Sequence, residues 1–251
     1  MVKQLLQDTV EEQSKHALYQ ELINKYVQNL WLDMRLTKEV MDYLWDIISR
    51  PNPPEKMEEV AGPKFRGTKA NYYLAGNISK SIWLQDDKSN LIFEKVLQDF
   101  AEIMYYKNWE NYYNIHIAKI VPAPVFQVQE LWVNYQKQHE FNPPHNHNGF
   151  YSFVVFMKIP THWKEQHELP ISANSNSPAA SNFQFLLGQG QTVQAIAIPL
   201  SPEDEGRILF FPSWLTHQVF PFYGTEEERI TVSGNIKMDG VPLPHPKSDP
   251  Q

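Results

Sequence analysis

At 251 residues, with 42% apolar and 20% charged side chains, the chain has ordinary globular composition and enough length for one large core, which excludes a disordered chain. Its formal net charge of −7 repels phosphate backbones, so nucleic-acid binding receives no electrostatic support. There is no cysteine, which excludes disulfides, thiolate ligands and cysteine nucleophiles, so any metal must be held by histidine and oxygen ligands.

Met1-Val2-Lys3-Gln4 leads into charged residues and not an apolar signal core, and no apolar run is long enough to span a bilayer. A soluble, cytoplasmic protein is expected. Leu5, Leu6 and Val10, then Leu18, Leu22, Ile23, Tyr26, Val27 and Leu30, recur at three- and four-residue steps and predict helix. A second helix is expected from an N-cap at Thr37, with Val40, Met41, Leu44, Trp45 and Ile48 on one face and a stop before Pro51. Prolines and glycines over 51–64 mark a connecting loop. A third helix fits about Asn90 to Tyr106, with Leu91, Ile92, Val96, Leu97, Phe100, Ala101 and Met104 inward.

After Tyr106 the period changes. Ile115–Val121, Phe126–Tyr135, Tyr151–Ile159, Phe183–Leu187, Val193–Ile198, Arg207–Phe211 and Arg229–Ile236 are short β-branched or aromatic runs punctuated by Gly, Pro and Asn. Seven such runs with no strong helix between them predict a β-sandwich or barrel. The expected organisation is a helical extension and linker over 1–64, a β domain with a supporting helix over 65–240, and a loose tail over 241–251.

Three of the nine histidines sit where a metal site needs them. His145 and His147 flank Asn146 just ahead of the apolar run Phe150 to Phe156, and His217 follows a separate strand. In a strand, residues i and i+2 share a face, so the H-x-H pair can offer two imidazoles to one ion, and a third from a facing strand completes a facial triad with open positions. Alone, the pair does not separate a metal site from coincidence. Arg229 adds weight: it opens the last apolar strand, and two-residue alternation puts Thr231 and Ser233 on its face, so a guanidinium and a hydroxyl can grip a carboxylate together. Asn134, facing the same way as Trp132, is a candidate to hydrogen-bond a ligand. Tyr135 and Tyr151 are candidates to line the ligand pocket, each equally plausible as packing. His139, His162 and His167 are expected to be solvated, and the 161–178 loop could cover the barrel mouth.

Five stretches carry a family resemblance: Leu74-Ala75-Gly76-Asn77-Ile78, Leu131-Trp132-Val133-Asn134-Tyr135, the run from Glu140 to Gly149, the run from Glu205 to Ser213, and the run from Arg229 to Asn235. In these the chain resembles the 2-oxoglutarate/Fe(II)-dependent oxygenases, in particular members from marine cyanophages and related phages. The resemblance implies a mainly β fold with α additions, a double-stranded β-helix (jelly-roll) core on which the N-terminal helices pack. It also implies Fe(II), 2-oxoglutarate as cosubstrate and ascorbate as a supporting reductant. By the same resemblance His145 and His217 match the two histidine ligands. Arg229 matches the arginine that binds the distal carboxylate of 2-oxoglutarate, with Thr231 as its hydroxyl partner.

The departure is at the carboxylate ligand position, occupied here by His147. Either His147 is the third ligand, or only two protein ligands bind, as in the iron halogenases. A three-histidine site should soften the preference for Fe(II) over Zn, Ni or Co. The implied activity is hydroxylation of an unactivated C–H in a small-molecule or peptide substrate, with release of succinate and CO2. The alternatives are a 2-oxoglutarate-independent cupin-like dioxygenase, a zinc hydrolase and a non-catalytic metal-binding jelly roll.

Overall fold

The computed structural model describes residues 30–50, 69–84, 91–113, 125–189 and 191–239. The expected first helix up to Val27, the 51–64 loop, the Ile115–Val121 run and the 241–251 tail lie outside these residues. Ten strands are described: β1 (Leu32–Arg35), β2 (Lys80–Trp83), β3 (Val125–Gln136), β4 (Asn142–His145), β5 (Tyr151–Lys158), β6 (Phe183–Gln189), β7 (Thr192–Ile198), β8 (Arg207–Pro212), β9 (His217–Val219) and β10 (Arg229–Asp239). The helices are α1 (Lys38–Ser49), α2 (Gln98–Tyr113), entered through a π-helical turn at Phe93–Leu97, and the short α3 (Trp163–Glu168).

The strands form a six-stranded sheet of order β1-β8-β5-β10-β3-β2 and a four-stranded sheet of order β4-β9-β6-β7, with all adjacent strands antiparallel. From β3 onward the chain shuttles between the two sheets, which is the double-stranded β-helix. β1 and β2 extend the larger sheet at its two edges, so residues 32–35 are tied into the barrel beside β8.

Two-residue alternation sorts the larger sheet into two faces. Leu131, Val133, Tyr151, Phe153, Val155, Phe210 and Val232 point to α1 and α2 and form one apolar core with Leu44, Ile47, Ile92, Leu97 and Met104. Val154, Phe156, Leu209 and Phe211 point the other way, where they meet Phe183 and Phe185 of the smaller sheet. Strand β5 is buried on both faces, which is why its sequence reads as an unbroken apolar run.

Thr37 caps α1, its Oγ1 accepting from the Val40 N–H at 3.4 Å, and the helix ends at Ser49, ahead of Pro51. The stripe it buries is Val40, Tyr43, Leu44 and Ile47, rotated from the expected one. Trp45 is 36% exposed because it lies about 100° around the helix from Leu44. Strands β1, β2, β4 and β9 are too short for alternation to be read, and β4 contains Pro143 and Pro144. Prolines are tolerated there because β4 is an edge strand.

Two glycines fix the geometry around the site. Gly149 closes the histidine loop with a φ of +117°, a conformation that side chains disfavour. At Gly234 of β10 an added Cβ would lie 2.6 Å from the Glu130 carbonyl oxygen and 2.7 Å from the Phe153 ring, so only glycine lets β10 lie this close to its neighbours. Among the described residues no helix is long and apolar enough to cross a membrane.

Candidate metal and cosubstrate site

Pairing of β4 with β9 sets His145 directly opposite His217. Each ring is pinned by the carbonyl two residues before it: His145 Nδ1 lies 2.7 Å from the Pro143 oxygen and His217 Nδ1 lies 3.0 Å from the Leu215 oxygen. A carbonyl only accepts, so both Nδ1 atoms must carry the proton, and both Nε2 lone pairs are left for a metal. Pro143 and Pro144 stiffen the chain that supplies the first of these carbonyls.

His147 reaches the same point by a different route. It lies two residues beyond the end of β4, where its backbone N–H donates to the Ser213 oxygen at 2.9 Å. Its Nε2 is 3.3 Å from His217 Nε2, and its ring centre is 5.7 Å from that of Trp132. Convergence therefore depends on a loop-to-loop bond and not on strand alternation alone. One ligand nitrogen from each of the three histidines lies within 4.8 Å of the other two.

Burial holds all three imidazoles neutral. His217, 4% exposed, is pushed well below the usual histidine range by desolvation, reinforced by the other two rings. Desolvation and His145 lower His147 to about 4, with Glu130 pulling weakly the other way, and His145 is lowered by desolvation against its hydrogen bond to Pro143. Three neutral imidazoles whose ring nitrogens converge could take up a metal at pH 7 without first losing an imidazolium proton. The donor set fits an iron ion.

The triad lies at one side of a solvent-open cleft. Trp132, Asn134 and Ser233 form its inner wall from β3 and β10, and Leu74, Ala75, Gly76 and Ile78 face them from the segment before β2. Asn134 is 7% exposed and accepts a hydrogen bond from Ser81 Oγ at 2.7 Å, so this expected residue does border the site.

Arg229 lies on the same inward face of β10. Ser233 pairs with Trp132, Thr231 with Asn134 and Arg229 with Gln136, so the arginine stands two steps along that face from Ser233 and one beyond the level of Asn134. It is 1% exposed, and among the described residues no carboxylate pairs with it. Nη2 donates to the Ser181 carbonyl at 3.0 Å and to Ser181 Oγ, and the guanidinium lies 5.0 Å from the Phe222 ring centre. Nε and Nη1 are buried without a hydrogen-bond partner. Desolvation drags the group down to about 9. Burying an arginine with two unmet donors is costly unless an anion completes it, so the residue fits the distal carboxylate of a cosubstrate. Thr231 is half-buried, one step along the face, as the alternation predicts.

Tyr151 corrects an expectation. It lies on the helix-facing side of β5, packed against Phe126, Phe150 and Phe210, and does not border the cleft. Tyr135 is on that same side of β3, with Lys80 Nζ 3.9 Å above its ring. His139 is exposed, whereas His162 caps α3 by accepting from the Lys164 N–H and His167 Nε2 bonds to Asn182 Oδ1 at 3.2 Å. Two site features escaped the sequence reading. Ser181 carries no motif, and Asn142 has an Oδ1 that is buried without a partner where it lines the cleft.

No curated protein matches the chain. Among solved structures, it is similar to the non-haem α-ketoglutarate-dependent epimerase SnoN from nogalamycin biosynthesis, with 12% identity and a TM-score of 0.50, covering 88% of this chain and 81% of that one. This likeness supports the fold. A prolyl-4-hydroxylase from Pseudomonas putida aligns over 90% of this chain and 100% of its own, with 12% identity and a TM-score of 0.47. Residues 130–235, which run from β3 into β10 and include all three histidines, Arg229 and Thr231, match the model of the family described as "Putative 2OG-Fe(II) oxygenase".

Proposed function

We propose that the chain is a 2-oxoglutarate- and Fe(II)-dependent dioxygenase that hydroxylates an unactivated C–H of a small-molecule or peptide substrate. The observation that carries this reading is the pairing of a converged, neutral histidine triad with a fully buried arginine that has two unmet donors on the inward face of β10. A cupin-like dioxygenase or a zinc hydrolase has no use for that second feature. The family match over the same strands supports the reading.

His145, His147 and His217 would hold the iron through nitrogen, and Arg229 with Thr231 would receive the far carboxylate of 2-oxoglutarate. Iron supplies dioxygen activation coupled to cosubstrate decarboxylation, so that 2-oxoglutarate, O2 and R–H become succinate, CO2 and R–OH. The chain's part is orientation. The Pro143 and Leu215 carbonyls fix two imidazoles in the binding tautomer. Trp132, Leu74 and Ile78 give the cleft apolar walls, while Asn134, Asn142 and Ser233 offer uncharged hydrogen-bonding groups to a substrate. Ascorbate would serve only to keep iron reduced. A cytoplasmic site of action, that of the host cell if the chain is phage-encoded, goes with this reading.

The test is succinate release from 2-oxoglutarate by the iron-loaded protein in air, compared with the metal-free protein. Release that requires iron is expected. No release with any of a panel of amino-acid, peptidyl and metabolite substrates, together with no binding of 2-oxoglutarate to metal-loaded protein, would remove the reading.

A further inference from the structure

Arg229 is not positioned by its own strand alone. A guanidinium has one N–H on Nε and two on each Nη, and here only Nη2 is engaged, by a single residue from another part of the barrel. That residue, Ser181, lies just before β6 and is 0% exposed. Its backbone is left-handed, with a φ of +70°, which is uncommon for a residue with a side chain. The conformation is enforced from both sides. The Ser181 N–H donates to the Pro221 oxygen at 2.8 Å, and the neighbouring Asn182 donates to Ala179 and accepts from Phe220. Turning the peptide this way aims the Ser181 carbonyl and hydroxyl at the same nitrogen. Because Oγ accepts from Nη2, its own proton is free for Thr161 Oγ1, 3.4 Å away.

We infer that Ser181 is a positioning residue for cosubstrate binding: it anchors one corner of the Arg229 guanidinium so that Nε and Nη1 remain directed at the distal carboxylate of 2-oxoglutarate. The inference rests on the site reading proposed above and extends it to a residue that touches neither metal nor cosubstrate. Serine suits this task because it is a neutral acceptor. It satisfies one nitrogen and leaves the positive charge uncompensated, as an incoming dianion requires. An acid at this position would complete the arginine internally and displace the ligand.

The experiment measures, by anaerobic calorimetry on the full chain, the affinity for Mn(II) and then the affinity of the Mn(II)-loaded protein for 2-oxoglutarate. Ser181→Gly keeps the carbonyl and the left-handed backbone and removes the hydroxyl; 2-oxoglutarate affinity is expected to fall roughly 10-fold, as for loss of one charge-assisted hydrogen bond. Ser181→Asp tolerates the backbone and places a carboxylate on the guanidinium; the affinity is expected to fall roughly 100-fold or more. In both, Mn(II) affinity should stay at the wild-type value, and Ser181→Asp should melt no lower than wild type, a combination that simple damage to the fold would not give. Wild-type 2-oxoglutarate affinity in both variants, with Arg229→Ala still losing it, overturns the role of Ser181 and spares the site reading. Wild-type affinity in Arg229→Ala overturns both. Should Ser181→Asp fail to fold, the Ser181→Gly result decides alone.

Discussion

The two faces of the six-stranded sheet carry different kinds of information. The face toward α1 and α2 is apolar across its centre, with Leu131, Val133, Phe153, Val155 and Val232 in one core with helix side chains. The opposite face is mixed: Phe156 and Phe211 give it a core, and between the sheets it also presents Asn134, Ser233 and Arg229, all buried. The same strands supply both faces from alternate residues, so function here is a matter of residue parity along β3 and β10. A one-residue difference in position separates a packing role from a role in the site, and substitutions on the two faces should fail in different ways.

The largest expected effect is on the inner side. His217→Ala removes a buried imidazole of the triad and should weaken metal binding by more than the roughly 10- to 100-fold typical of losing an outer partner, as measured by metal titration. Next, Arg229→Ala should cost about 3–5 kcal/mol of 2-oxoglutarate binding while leaving metal affinity within a factor of two, because the carboxylate loses its buried cation. Equal loss of both would mean that the two features do not form one site.

On the helix side, Tyr151→Ala should destabilise the fold by about 3–5 kcal/mol in denaturant unfolding, as for other large aromatic truncations. Tyr151→Phe should leave 2-oxoglutarate affinity unchanged. A large change in that affinity would put Tyr151 back in the cosubstrate pocket and break the comparison. Acid should also act through the inner face. The unfolded chain's histidines take up protons near pH 6.5, whereas folded His147 resists protonation down to about 4 and His145 and His217 are lowered in the same direction. Metal-free stability should therefore be unaffected by these groups above pH 6.5 and decline as pH falls from 6.5 toward 4. Bound metal should protect against that decline. The smallest effect is expected for Trp45→Ala, outside both faces, which should stay within about 0.5 kcal/mol of wild type.

Much of this was legible in the sequence because the long strands announce themselves. Arg229–Ile236 alternates clearly enough to put Arg229, Thr231 and Ser233 on one face, and Trp132 and Asn134 likewise share a face of their own strand; that the two faces are one and the same comes from the pairing of β3 with β10. Tyr151 could not be placed in this way, for a physical reason: Tyr151-Ser152-Phe153-Val154-Val155-Phe156 is apolar on both faces, and such a run hides its own parity. The histidines were legible as a pattern, but their convergence depends on the His147–Ser213 backbone bond between two loops, which no local periodicity encodes. Strands β4 and β9 were hidden by two prolines and by brevity. Ser181 was hidden because its part in the site comes from a left-handed backbone and a contact 48 residues away along the chain.

The central claim is that the histidine triad and Arg229 form one binding site. It is tested most directly by titrating 2-oxoglutarate into the protein anaerobically, with and without Fe(II), in wild type and Arg229→Ala. Tight binding that appears only with Fe(II) and is lost in Arg229→Ala is the predicted result. Binding that is the same with and without metal, or that survives removal of the guanidinium, would contradict it.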